Sequence, residues 1–171
     1  NEANRYGVTL VQDCMHSDNA REAYRQLAEE GKLTLRVRGV YLLEPGKGQE
    51  QLEEAIARKG RDDVGDDFRV DTVKMFAEGA FSLIEPYDRA FTEENGLPAD
   101  YNEALYWDDG EFVSVAGKAM EAGFDVHVHA MGDNSVRQSV DCLVKAADGA
   151  DTKGRPPRNV IAHLMLVRDE D

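Results

Sequence analysis

The residues of this chain whose types and spacing could do chemistry are four histidines, one lysine and one glutamate. His127 and His129 stand two apart in "FDVHVHAMGD" (124–133), an apolar run that ends in a turn. Side chains two apart on a strand share a face, so both imidazoles point the same way, with His129 nearer the carboxyl end. His163 lies alone in "VIAHLML", His16 follows "YGVTLVQD", and Lys74 sits in "DTVKMFAEGA" with Glu78 four residues on. Neutral imidazole is the commonest metal ligand, and a zinc site needs three or four donors that converge. The spacing alone fits equally a pair of hydrogen-bonded core histidines, a satisfied buried His163 and a lysine that snorkels to a rim. A lysine among apolar strand residues nevertheless costs free energy unless something compensates its charge.

The elements that would position these residues alternate regularly. Apolar runs of strand length occupy 6–13, 33–43, 68–80, the run around 124–130, and 158–167. Between them lie helical patterns. Ala20, Ala23, Tyr24, Leu27 and Ala28 follow a cap at Ser17 or Asp18 and close at Gly31, and Leu52, Ala55 and Ile56 form a face that closes at Gly60. A third helix is expected over Glu111 to Ala122, and a fourth, capped by Asp133, presents Val136, Val140, Leu143, Val144 and Ala147. Five strands alternating with helices indicate an α/β fold with a parallel sheet. In such folds chemistry collects at the carboxyl ends of the strands, which is where His16, Lys74, Glu78, His129 and His163 fall. The stretch 81–112, rich in aromatics, is long enough to act as a functional insertion loop. The whole of 1–171 reads as one partial catalytic domain.

Bulk properties exclude several classes. With 20 Lys and Arg against 34 Asp and Glu, the formal net charge is −14, which repels phosphate backbones and anionic membranes. Nucleic acid and membrane are not expected partners. The sequence has no run of apolar residues long enough to span a bilayer and no signal-peptide layout at its start, so it reads as soluble, with the compartment open. Cys14 and Cys142 lie in unlike settings and do not suggest a disulfide framework. "EPGKGQE" lacks P-loop spacing, "GRDDVGDD" lacks the EF-hand pattern, and no G-x-S-x-G elbow accompanies the histidines.

Three ordered motifs, "VKMFAEGAFS", "VHVHAMGDNSV" and "RNVIAHLMLV", resemble the amidohydrolase superfamily. The resemblance is to the branch of metal-dependent hydrolases that includes N-substituted formamide deformylases and AepA-type exoenzyme regulatory proteins. "YGVTLVQD" resembles the family's second barrel strand. The resemblance implies a (β/α)₈ TIM barrel holding one or two divalent metals, usually zinc, at the carboxyl ends of its strands. By motif match Lys74 is the strand-four lysine, often carboxylated in related enzymes to bridge two metals, while His129 and His163 are the strand-five and strand-six ligands. His127 is left a supporting or substrate contact, His16 a place lining the pocket, and Glu78, where the family commonly has Asp, a substrate contact.

No strand-one H-x-H precedes "YGVTLVQD", and no strand-eight aspartate follows "RNVIAHLMLVRDED". The expectation is therefore a partial TIM barrel of about five parallel strands, a fragment spanning strands two to six, inactive by itself. The parent would hydrolyse a small amide-like substrate with metal-activated water. Open sheet edges could be covered by self-association as a homo-oligomer, or the sheet could flatten into a flavodoxin-like form. Two alternatives stand beside this: a non-catalytic regulatory or binding module with a vestigial metal site, and an ordinary doubly wound ligand-binding domain.

Overall fold

A computed structural model describes residues 2–14, 17–84, 94, 96–98 and 100–171. Its elements run α1 (Glu2–Arg5), β1 (Leu10–Gln12), α2 (Asp18–Glu29), β2 (Arg36–Leu42), α3 (Gly48–Arg58), β3 (Phe68–Phe76), α4 (Asp109–Glu121), β4 (Asp125–Ala130), α5 (Asp133–Gly149) and β5 (Val160–His163). The strands form one sheet in the order β1-β2-β3-β4-β5, and each neighbouring pair is parallel. Every crossover therefore steps the same way along the sheet. Because such crossovers are right-handed, all of them place their helices on one face. A doubly wound sheet needs the order to reverse at some point, and this one never does. The flavodoxin-like and doubly wound expectations are overturned, and the chain is a curled half-barrel with helices outside, an α/β partial barrel.

The strands divide their side chains between two environments. On the helix side, Val37, Phe68, Val70, Val73, Met75, Val126, Val128 and Ala130 are buried against Phe112, Val115, Ala116, Ala119 and Met120 of α4 and Val136, Cys142, Leu143 and Ala146 of α5. Each large apolar side chain withdrawn from water contributes about 2 kcal/mol, enough to fix which face of each strand turns toward the helices. A register shift between β2 and β3, at Gly39 and Val40, leaves Asp71 as the extra residue of a bulge, so that Lys74 rather than Val73 shares the concave face with His127.

Several boundaries differ from the sequence reading. The run 158–167 forms a strand only over Val160–His163, because His163 (φ 82°) and Leu164 (φ 48°) adopt left-handed backbone that ends the strand. β1 is likewise three residues long, since only those pair with β2. α4 begins at Asp109 and is capped by the Asp108 carboxylate on the Gly110 and Glu111 N–H groups. Ser17 caps α2 through the Ala20 N–H, as expected. Asp133 does not cap α5: the cap position is Gly132, and the Asp133 carboxylate instead accepts from the Ile84 N–H and the Arg168 guanidinium. The helix faces are also rotated, with Ile56 (44%) and Val144 (55%) exposed. Among the described residues no helix is long and apolar enough to cross a membrane.

Candidate metal centre

The concave face of the half-barrel mixes polar and apolar side chains, and the expected residues meet at its carboxyl end. Lys74 of β3 lies opposite His127 of β4, and Phe76 opposite His129; neighbours in a parallel register point the same way, so all four face the concavity. Lys74 Nζ stands 4.8 Å from the centre of the Phe76 ring, and the His129 ring lies 4.9 Å from that same centre. Phe76 is held from behind, its carbonyl accepting the Trp107 indole N–H at 2.9 Å. His163 pairs in register with Ala130, one step beyond His129. Its left-handed φ breaks the strand alternation, and its ring packs edge-on to His129 with centroids 4.5 Å apart. A non-glycine residue in that region costs of order 1 kcal/mol, a strain that marks the position as constrained by more than pairing.

Electrostatics separates the roles of these groups. Lys74 is buried, and burial lowers its pKa to about 8, so a substantial share of the amine is uncharged in mildly alkaline solution. His127 is pushed down to about 4 by burial and by the nearby Lys74 and His163, which keeps it neutral. Its Nδ1 lies 3.2 Å from Cys14 Sγ and 3.4 Å from Gln12 Oε1, and Gln12 in turn donates to Thr72 Oγ1 at 3.2 Å. Burial lowers the pKa of His129 as well, with His163 and Lys74 acting in the same direction. Among the described residues, His129 Nε2 is buried with no hydrogen-bond partner. A ligating histidine needs such a buried nitrogen left open for the ligand.

The structure thus brings together Lys74, His127, His129 and His163. It does not bring Glu78 to them. Glu78 is fully buried, and its carboxylate accepts from the N–H groups of Ser82, Met131 and Gly132 and from Ser135 Oγ, so it faces the turns behind the site. His16 lies outside the described residues, as does part of the 81–112 stretch. Cys14 and Gln12 escaped the sequence reading because their contact with His127 spans more than a hundred positions.

Among the described residues no group of three or more His, Cys, Asp and Glu side chains could hold a metal. The groups that face one another at this end are two imidazoles and a lysine. An unpartnered buried imidazole nitrogen beside a second imidazole is an unfavourable arrangement without a ligand, and a divalent metal is the group whose chemistry fits it.

The sequence matches the model of the amidohydrolase family over residues 1–171. The fold resembles the crystal structure of an uncharacterised metal-dependent hydrolase from Pyrococcus furiosus, with TM-score 0.72 and 27% identity over 99% of this chain and 32% of that one. It also resembles that of an uncharacterised metal-dependent hydrolase from Pyrococcus horikoshii OT3, with TM-score 0.74 and 23% identity over 99% of this chain and 31% of that one. The chain therefore spans about a third of the length of these structures. No protein of curated function matches the sequence significantly. The half-barrel, the imidazole pair at its carboxyl rim and the family match over the whole sequence agree: this chain belongs to the amidohydrolase family.

Proposed function

We propose that this chain is the metal-bearing part of a metal-dependent hydrolase that cleaves an amide-like C–N bond in a small molecule, in the manner of the N-substituted formamide deformylase branch it resembles. The observation that carries the reading is the buried, unpartnered Nε2 of His129 beside the His163 ring. His129 and His163 would hold a divalent metal, zinc by preference for nitrogen ligands, with Lys74 as the third donor. The metal, when bound, supplies Lewis acidity that polarises a carbonyl and acidifies water.

The protein's own residues do the rest. His129 packs against the rings of Phe76 and His163, contacts that orient its imidazole. Lys74, with its pKa near 8, has an uncharged amine available to add to CO₂, forming a carbamate and releasing a proton. Phe76 lies against both groups and shields that side from water. His127 stays neutral on Cys14 and Gln12, supporting the strand at the level below. The reading assigns metal binding to this chain and turnover to the longer fold of which it matches a third.

Titration of this chain with Co²⁺ tests the metal site, because its visible absorption reports nitrogen ligation, and amine release from N-formyl and N-acyl amines is assayed on a longer protein that contains the complete barrel. Bands that vanish in His129→Ala and His163→Ala support the reading; bands unchanged in both contradict it. The absence, among the described residues, of a third His, Cys, Asp or Glu beside these imidazoles favours one competing reading, a binding module with a vestigial site. That module would bind its ligand equally well with Lys74, His129 and His163 replaced by Ala.

A further inference from the structure

The amino-terminal end of the concave face carries an ionic layer that the proposed chemistry does not use. Its cavity of about 520 Å³ is lined by Arg36, Arg38, Arg69 and Arg158 against Asp71 and Asp125. Asp66 and Arg155 join through ion pairs and add one charge of each sign. Among the described residues the layer therefore keeps an excess of two positive charges. The chain as a whole has a formal net charge of −14, so this is a local reversal of sign. Along β4 the layer begins at Asp125, four residues before His129, which places it about 13 Å from the candidate metal centre.

Every guanidinium here has a carboxylate partner, but the partners are shared. Asp66 is divided among three arginines, with Arg38 at 2.9 Å and Arg36 and Arg69 at 3.5 Å. Asp125 is divided between Arg155 at 2.7 Å and Arg158 at 3.4 Å, and it also accepts the Arg158 N–H at 2.9 Å. Asp71 stands 3.8 Å from Arg38 and accepts the Thr72 hydroxyl at 3.3 Å. A charge-assisted hydrogen bond from a guanidinium closes to about 2.7–2.9 Å. By that measure Asp66 and Asp125 each satisfy one guanidinium in full and hold the others at a distance. A guanidinium carries about five N–H donors and a carboxylate about four acceptor sites, so the donors outnumber the acceptors that reach them. Like charges gathered round too few acceptors repel one another, and a doubly charged oxyanion would both neutralise the excess and supply acceptors.

We propose that this cavity is a structural anion site, which takes a small doubly charged oxyanion of the phosphate or sulfate type between Arg36, Arg69 and Arg158, above the more deeply set Arg38. The planar guanidinium fork matches the edge of such an anion. The volume of the cavity and the acidic remainder of the chain both select a small ion over an anionic polymer. The occupant completes the pairing of the layer and takes no part in hydrolysis, so the site stands independently of the metal reading.

The test is isothermal titration calorimetry with inorganic phosphate, beside thermal unfolding in phosphate and in chloride at equal ionic strength. Both use the whole chain freed of metal by a chelator, so that no phosphate is held at the carboxyl end. A single site is expected, with unfolding raised by about 3 °C in about 10 mM phosphate relative to chloride. Arg36→Gln combined with Arg158→Gln removes two charges held only by long side-chain contacts. It should lower phosphate affinity at least about 10-fold and abolish the thermal shift. Lys118→Gln combined with Lys145→Gln removes the same charge from exposed positions on α4 and α5 and should leave both readouts unchanged. Should the double arginine variant fail to fold, Arg158→Gln alone, at a side chain 77% exposed, should show a smaller loss of affinity in the same direction. Phosphate that protects no better than chloride would overturn the inference. So would phosphate affinity unchanged in whichever arginine variant folds, or lost equally in the lysine variant.

Discussion

Two ends of one concave face use polar residues in opposite ways. At the amino-terminal end a cavity of about 520 Å³ is lined by Arg36, Arg38, Arg69, Asp71, Asp125 and Arg158 among others. Each of these charges has a partner. Asp66 takes Arg38 at 2.9 Å and Arg36 and Arg69 at 3.5 Å, Arg38 also reaches Asp71 at 3.8 Å, and Asp125 takes Arg155 at 2.7 Å and Arg158 at 3.4 Å. At the carboxyl end, His129 Nε2 is buried with no partner among the described residues, and Lys74 lies over the Phe76 ring. A closed barrel usually fills its interior with branched apolar side chains. Here the lower layer is ionic and paired, the upper layer polar and underpaired. Pairing marks polar residues that maintain the fold, and its absence under burial marks residues kept for a ligand.

The contrast yields four expectations, taken from the largest effect down. His127 carries the first. Its pKa is about 4 when folded against an ordinary 6.5, a depressed value, so its contribution to stability is complete above 6.5 and is lost as the pH falls to 4. Urea denaturation across that window should show a loss of about 3 kcal/mol that His127→Gln removes. Asp125→Ala comes next, leaving Arg155, Arg158 and the Arg158 N–H without their acceptor. It should cost about 2 kcal/mol by the same measurement and leave metal binding intact.

Lys74→Met should act with the opposite sign. The Lys74 pKa is depressed to about 8, so the folded protein bears the cost of a buried charge at pH 7 and recovers stability as the pH rises from 8 toward 10.5. The substitution should stabilise by about 1 to 2 kcal/mol at pH 7, with the gain fading through that alkaline range. Smallest is His129→Phe, which loses no hydrogen bond at Nε2 and should change stability by no more than about 1 kcal/mol while abolishing metal binding. A large loss of stability in His129→Phe would place that residue with the paired lower layer and erase the contrast.

The same distinction explains what could be read from the sequence. The strand and helix alternation, the parallel sheet and the placing of Lys74, His129 and His163 at strand ends follow from local patterning, because burial against the helices imposes it residue by residue. What escaped depends on partners distant in the chain. His163 ends its strand early through its own left-handed backbone, and Val144 turns outward although its spacing matches an inner face. Asp133 sits where a helix cap belongs, yet its carboxylate is drawn to Ile84 and Arg168. Glu78 looked like a site residue because it follows Lys74 at a strand end. Only the fold shows that four donors enclose it, one from its own turn and three from the segment that follows β4.

Metal content by plasma mass spectrometry, on protein purified without chelator, tests the central claim most directly. The unmodified chain is measured beside a Lys74→Ala, His129→Ala, His163→Ala triple variant and beside Asp125→Ala. Stoichiometric zinc in the unmodified protein and in Asp125→Ala, lost in the triple variant, is the result expected of an upper layer kept for a metal. Equal zinc in all three, or none in the unmodified protein, would contradict it.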